Sequence, residues 1–256
     1  MRVQESPIDG SIPRYELTDW RERYGVVAGI TGRPFDLGLW SDQPVGQVMT
    51  RWRQFRDAMG FPDCVLGHQC HGTDVRWQDA PHAEVPAPHA LTLLDRIDGH
   101  ATASAGTLLL VTAADCIPIY LLEPRKKVLA LLHSGWRGTA GGILGKGLDL
   151  LRERAGVDPG DLVMHLGVGI CGKCYEVGAE VIEGVGLRAD GDGPWHVDLR
   201  ERLAHQARAA GVRDISISGW CSAHDRDRFF SHRASGGRDG RMVAYLGLSH
   251  PPTPSP

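Results

Sequence analysis

Three separate segments each place a metal-competent side chain beside a glycine or at the edge of an apolar run. They are "GHQCHGTDV" with His71, "TAADCIPI" with Cys116 and "LLHSGWRG" with His133. Two imidazoles and a thiolate form a catalytic zinc set that leaves the fourth tetrahedral position to water or substrate. Zinc held this way lowers the pKa of its water to about 7, which provides a nucleophile near neutral pH. Plainer roles exist for the same residues. A histidine is often a surface or hydrogen-bonded core residue. Cys116, following Asp115, reads as a buried thiol, a ligand, or a nucleophile with a histidine as base.

A second kind of chemistry follows His133 directly. In "SGWRGTAGG" glycines expose backbone N–H groups where a helix begins, and the helix dipole favours negative charge there. Arg137 adds a planar fork for phosphate or carboxylate. Gly138 and the other 138–142 amides are thus candidates for holding phosphate, with Arg233 in "FFSHRASGGRDGR" as a second guanidinium. The plain alternative is a tight turn with Trp136 in the core. Cys171 and Cys174 form C-x-x-C between a strand and a helix, the local context of a dithiol redox pair. No second such pair is present, so a four-cysteine zinc ribbon is set aside. Without flanking tryptophan, a strand-to-helix corner is the default.

These side chains need elements to carry them. Residues 45–59, "VGQVMTRWRQFRDAM", space Val45, Val48, Met49, Trp52, Phe55 and Met59 at three and four residues, which predicts one apolar helix face. Between Thr107 and Trp136 the pattern predicts strands near 107–112, 117–122 and 128–133, with a turn at "EPRKK". Continuous apolar runs of this length suit strands covered on both faces. After Gly138 a helix turns Ile143, Leu144, Leu148 and Leu151 inward. "LVMHLGVGI" reads as a strand, followed by a helix from about Tyr175 to Glu183. Asp198 and Glu201 stand in capping-box spacing at the head of another helix. "ISIS" and "MVAYLGL" are further strands. The proline-rich 78–90 segment reads as a long surface loop. Residues 1–14 and 250–256 read as loose termini around one α/β domain spanning 15–249.

The chain is 42% hydrophobic and 23% charged, and its formal charge is −3. With no basic run, nucleic acid and anionic membrane are not expected partners. No apolar stretch reaches the length of a membrane span, and the first residues lack the apolar core of a secretory signal. The expectation is a cytoplasmic protein acting on small molecules, its six cysteines reduced.

Taken together, the segments resemble the YfiH-type family, long described as a polyphenol oxidase or laccase domain. Members have since been linked to purine nucleoside phosphorylase activity and to peptidoglycan editing. "QCHG" is similar to its Q-x-H-G, "DGHAT…TAADCIPI" to its D-x-x-x-T…A-D-C-x-P, and "HSGWRGTAGGI" to its H-x-G-W-R-G. "GITGRPFDLGL", "GVGICGKCYEVG" and "FFSHRASGGRDGRMV" extend the likeness over residues 25 to 248. The resemblance implies an α/β/β/α fold of mixed sheets flanked by helices. It implies His71, Cys116 and His133 as zinc ligands, and Arg137, Cys174 and Arg233 as further catalytic positions. Asp36 stands where the family has asparagine, beside the phosphate pocket. Lys173, His232 and Ala234 also depart from its pattern.

The implied reaction is phosphorolysis of adenosine, inosine or methylthioadenosine, with adenosine deamination as a side activity. The alternatives are a hydrolase editing peptidoglycan precursors with Cys116 as nucleophile, and a non-catalytic protein that binds zinc and a nucleoside. Copper oxidation of phenols ranks last, because the chain has no H-x-H pair for a multicopper centre.

Overall fold

Alternate side chains of the three central apolar runs enter different cores, as the period of two in a strand requires. In the computed structural model, which describes residues 1–39, 43–79 and 90–248, these runs are the strands Thr107–Ala113, Ile117–Glu123 and Val128–Ser134. Leu109, Val111, Tyr120, Leu122, Leu129 and Leu131 share a core between two sheets. Leu108 and Leu110 instead meet Trp52 and Phe55 of the helix Val45–Met59. Ile119, Leu121, Ala130 and Leu132 pack on the other side, against helices that include Ile143–Ala155 and Leu199–Ala209. Each sheet is therefore covered on both faces, and the layers run α/β/β/α.

Among the described residues each large sheet has seven strands. The first runs in the order Arg2–Val3, Asp214–Ser218, Val163–Leu166, Ile117–Glu123, Val128–Ser134, Gly99–Thr102 and Val75–Gln78. The second runs Ser6–Ile8, Arg14–Glu16, Val26–Thr31, Met242–Leu248, Thr107–Ala113, Asp63–His68 and Ala90–Asp95. Parallel and antiparallel pairs mix in both. Three connections, 69–74, 96–98 and 114–116, cross from the second sheet to the first. These crossings carry the chemistry described below.

Several expectations need correction. Residues 1–14 are not a loose end. Arg2–Val3 pairs in parallel with Ile217 and Ser218, and Ser6–Ile8 pairs with Arg14–Glu16. Between them Glu5 is buried, with Oε1 3.0 Å from His165 Nε2 and Oε2 accepting from Ser218 Oγ at 2.7 Å. A polar, proline-containing stretch is ordered here because its backbone completes two sheets. The expectation for 250–256 lies outside the described residues, as does the 80–89 part of the predicted loop.

On the helix Val45–Met59, Val48, Trp52 and Phe55 are buried, but Val45 and Met49 are 73% and 44% exposed. The predicted face was too wide. The helix after Gly138 begins earlier, at Trp136, and breaks at Gly142, whose φ of +79° separates Trp136–Gly141 from Ile143–Ala155. The predicted 175–183 helix shrinks to Ala179–Gly184, because Glu176–Val177 pairs as a strand with Trp195–His196. No helix among the described residues is long and apolar enough to cross a membrane.

Replacing Glu5 by alanine leaves a buried imidazole and a buried hydroxyl without their acceptor. Each such loss costs about 1–3 kcal/mol. The Glu5→Ala protein should unfold in urea with about 2–6 kcal/mol less stability, and an unchanged midpoint would contradict the account.

Candidate active site

The inter-sheet crossings converge at one end of the sandwich. The 69–74 crossing brings His71 and the 114–116 crossing brings Cys116. Register places His133 opposite Pro118, two residues beyond Cys116 on the neighbouring strand. The donor atoms of His71, Cys116 and His133 all lie within 4.8 Å of one another. The two imidazole rings meet edge-on, 5.0 Å between centres. His133 is buried, Cys116 half-buried and His71 exposed.

The third crossing supplies Asp98, which is fully buried. Its carboxylate accepts from the backbone amides of Cys70, His71 and Gly72 at 3.1, 3.0 and 2.8 Å. It also lies 2.9 Å from His133 Nδ1, which leaves Nε2 to face the other two donors. This is the carboxylate–histidine arrangement that orients metal-binding imidazoles. Burial alone would raise the Asp98 pKa, but His133 and the amides of Gly72 and Cys70 hold it at about 2. Burial also disfavours charge on Cys116 and His133. Their mutual attraction wins, lowering the thiol to about 6 and, with Asp98, raising the imidazole to about 9.

Two backbone observations fit the same picture. His71 and Asp115 have φ of +59° and +91°, a region that non-glycine residues seldom enter. Asp115 is pinned there by its carboxylate, which accepts from Ser222 Oγ, Ser231 Oγ and the Arg233 amide at 2.6, 2.7 and 2.6 Å. A side-chain carbon on Gly135 would stand 3.0 Å from the Cys116 sulfur and 3.1 Å from His71 Cδ2. The chain thus stays bare where the three donors meet. A soft thiolate and two imidazoles around such a space fit a zinc ion. A metal ion held by these donors should bind about tenfold to a hundredfold more weakly in Gly135→Ala, from the ~1–3 kcal/mol that overpacking costs. A competition titration with a chromophoric chelator measures this, and unchanged affinity would count against the site.

The donors open onto a cavity of about 650 Å³. Arg137, Arg233, Arg238 and Arg241 line it, with Trp136 and Tyr175 as aromatic walls. The Arg137 guanidinium stacks 4.3 Å from the Trp136 ring centre, and Arg233 stacks 5.0 Å from that of Tyr175. The sequence-predicted positions divide here. Arg137 and Arg233 reach the cavity. Gly138 does not line it, and a side-chain carbon there would meet the Gly72 carbonyl at 3.4 Å and Ser134 Oγ at 3.5 Å. The amides of Thr139 and Gly142 are spent on Gly135 and Thr139 carbonyls, which leaves them out of the expected 138–142 amide set. Asp36 lines the far wall, but its carboxylate accepts from Gly38 N, Gln43 Nε2 and Arg241 N, a brace for two loops.

Cys174 is also turned elsewhere: its sulfur lies 3.1 Å from His224 Nε2 and does not line the cavity. Sequence reasoning overlooked Asp98, Arg238, Arg241 and the partners of Asp115. It also passed over Cys221 and His224, although their C-x-x-H spacing was a readable signal.

Fold and site together define an α/β/β/α protein with a His–Cys–His centre under an arginine-lined cavity. The chain belongs to the family described as multi-copper polyphenol oxidoreductase laccase, whose model matches residues 21–249. It is 33% identical over 247 residues to purine nucleoside phosphorylase YlmD of Geobacillus stearothermophilus, covering 87% of this chain and 90% of that one. It is 34% identical over 235 residues to a purine nucleoside phosphorylase of Deinococcus radiodurans, covering 87% and 86%. The crystal structure of YlmD from Geobacillus stearothermophilus matches with a TM-score of 0.84 at 28% identity. That match covers 96% of this chain and 100% of that one.

Proposed function

We propose that this chain is a zinc-dependent purine nucleoside phosphorylase, converting adenosine, inosine or methylthioadenosine and phosphate to the free base and a ribose 1-phosphate. The observation that carries the reading is the His71–Cys116–His133 donor set at the floor of a cavity walled by arginines and aromatic rings. The names of the relatives support it. Two histidines and one cysteine suit a single divalent ion better than the multicopper cluster in the family description.

His71, Cys116 and His133 would hold the zinc, which supplies a Lewis acid at the reacting centre when bound. Arg137 and Arg233 bind phosphate as charged forks, each oriented by an aromatic face. Trp136 and Tyr175 wall the space in which the purine would lie. A phosphate oxygen bonds to the ribose C1′ as the bond from C1′ to the base breaks. The electron pair leaves with the base, which takes up a proton. The chain contributes orientation, anion binding and exclusion of water.

The direct test is to incubate the pure protein with adenosine and phosphate and separate the products. Adenine and ribose 1-phosphate are expected, and chelation should abolish them. Absence of adenine, inosine and hypoxanthine would refute the activity. Arg137→Ala and Arg233→Ala should each raise the KM for phosphate about tenfold or more, from the ~1.5–3 kcal/mol of a hydrogen bond to a charged group. An effect confined to kcat would remove them from phosphate binding.

A further inference from the structure

Four chemistry-bearing side chains remain outside the catalytic centre. Cys171, Cys174, Cys221 and His224 offer three sulfurs and an imidazole nitrogen, all within 4.8 Å of one another. None of the four lines the large cavity. Their spacing is C-x-x-C in one turn and C-x-x-H in another, 47 positions downstream of Cys174. All three cysteines are free thiols.

The backbone of each turn is folded around its first sulfur. The amides of Lys173 and Cys174 point at Cys171, and those of Ala223 and His224 point at Cys221. The Cys171 amide crosses over to the Cys221 sulfur at 3.3 Å. A bridge between Gly169 and Cys221 and a bond from Ser222 N to the Gly169 carbonyl at 3.1 Å clamp the two turns side by side. The imidazole of His224 completes the group, Nε2 3.1 Å from the Cys174 sulfur and Nδ1 3.6 Å from that of Cys171.

We propose that Cys171, Cys174, Cys221 and His224 bind a second zinc ion, structural in role and separate from the catalytic centre. Three thiolates and one imidazole fill a tetrahedral shell, so this site has no position for substrate. Tyr175 follows Cys174 directly and walls the cavity, while Ser222 follows Cys221 directly and holds Asp115. The ion therefore staples together two turns that set one side of the catalytic cavity. This inference does not depend on the phosphorolysis reading.

Metal content of the full chain, purified from zinc-supplemented medium without chelator, is the test. The wild type should carry about two zinc ions per chain. A His71→Ala/His133→Ala variant, which leaves the second cluster intact, should keep about one. Cobalt added to that variant after metal removal should give the sulfur-to-metal charge-transfer and intense visible bands of a tetrahedral thiolate site. Cys221→Ser should lose one equivalent from the wild type. A metal-free His71→Ala/His133→Ala protein would overturn the proposal whether or not Cys221→Ser folds. So would iron or copper in place of zinc, or a Cys171–Cys174 disulfide in protein prepared anaerobically.

Discussion

Cys116→Ser should lower kcat/KM for adenosine phosphorolysis by about a thousandfold. A metal acting as a Lewis acid contributes several kcal/mol to a transition state, and each 1.4 kcal/mol is about tenfold in rate. Serine keeps the size of the side chain but replaces a polarisable thiolate by a neutral hydroxyl that binds zinc poorly. The fold should survive. Cys116 lies in a crossing between sheets, not in a core, and its charge is set by the neighbouring histidines. Zinc content, circular dichroism and steady-state rates measured on one preparation separate the outcomes. Activity within tenfold of wild type would sink the assignment of Cys116 as ligand. A hydrolytic mechanism with Cys116 as nucleophile predicts a different pattern, in which metal-free wild type stays active and is silenced by alkylation.

Asp98→Ala should act on both affinity and folding. The carboxylate orients His133, and loss of such a partner costs about 10–100-fold in metal affinity. It also accepts three backbone amides around His71, and each buried donor left unsatisfied costs about 1–3 kcal/mol. We expect a loss of about 3 kcal/mol or more in urea unfolding. Asp98→Asn should not rescue it, because the amide group would present donors to donors and remove the charge that His133 needs. Zinc competition and denaturation, run on both variants, are the measurements. Affinity within threefold of wild type for Asp98→Ala would show that the carboxylate holds the loop but not the ligand.

The strands Thr107–Ala113, Ile117–Glu123 and Val128–Ser134 were legible within a residue or two, because turn residues bound each apolar run. The helix headed by Asp198 was legible for a related reason: its cap side chain accepts from the Arg200 amide, a contact made within three residues. Ser6–Ile8 and Arg2–Val3 were not. Short, polar strands carry little hydrophobic period, and their pairing partners lie far off, in the case of Arg2–Val3 at Ile217 and Ser218. His71, Cys116 and His133 were found from residue type and from a resemblance. Asp98 was missed because a carboxylate in "DGHAT" does not declare what it will face.

By itself, the sequence determined the local quantities: which runs are apolar, where turns interrupt them, and which side chains have metal or anion chemistry. Propensity, capping and period act over a few residues and can be read there. Only the tertiary structure decided which of those side chains meet. Three crossings between stacked sheets bring His71, Asp98 and Cys116 to one point, while Cys174 is turned to His224. The reason is physical. Two sheets share one apolar core, and burying it sets the stacking, so the places where the chain passes between them follow from packing summed over the whole molecule.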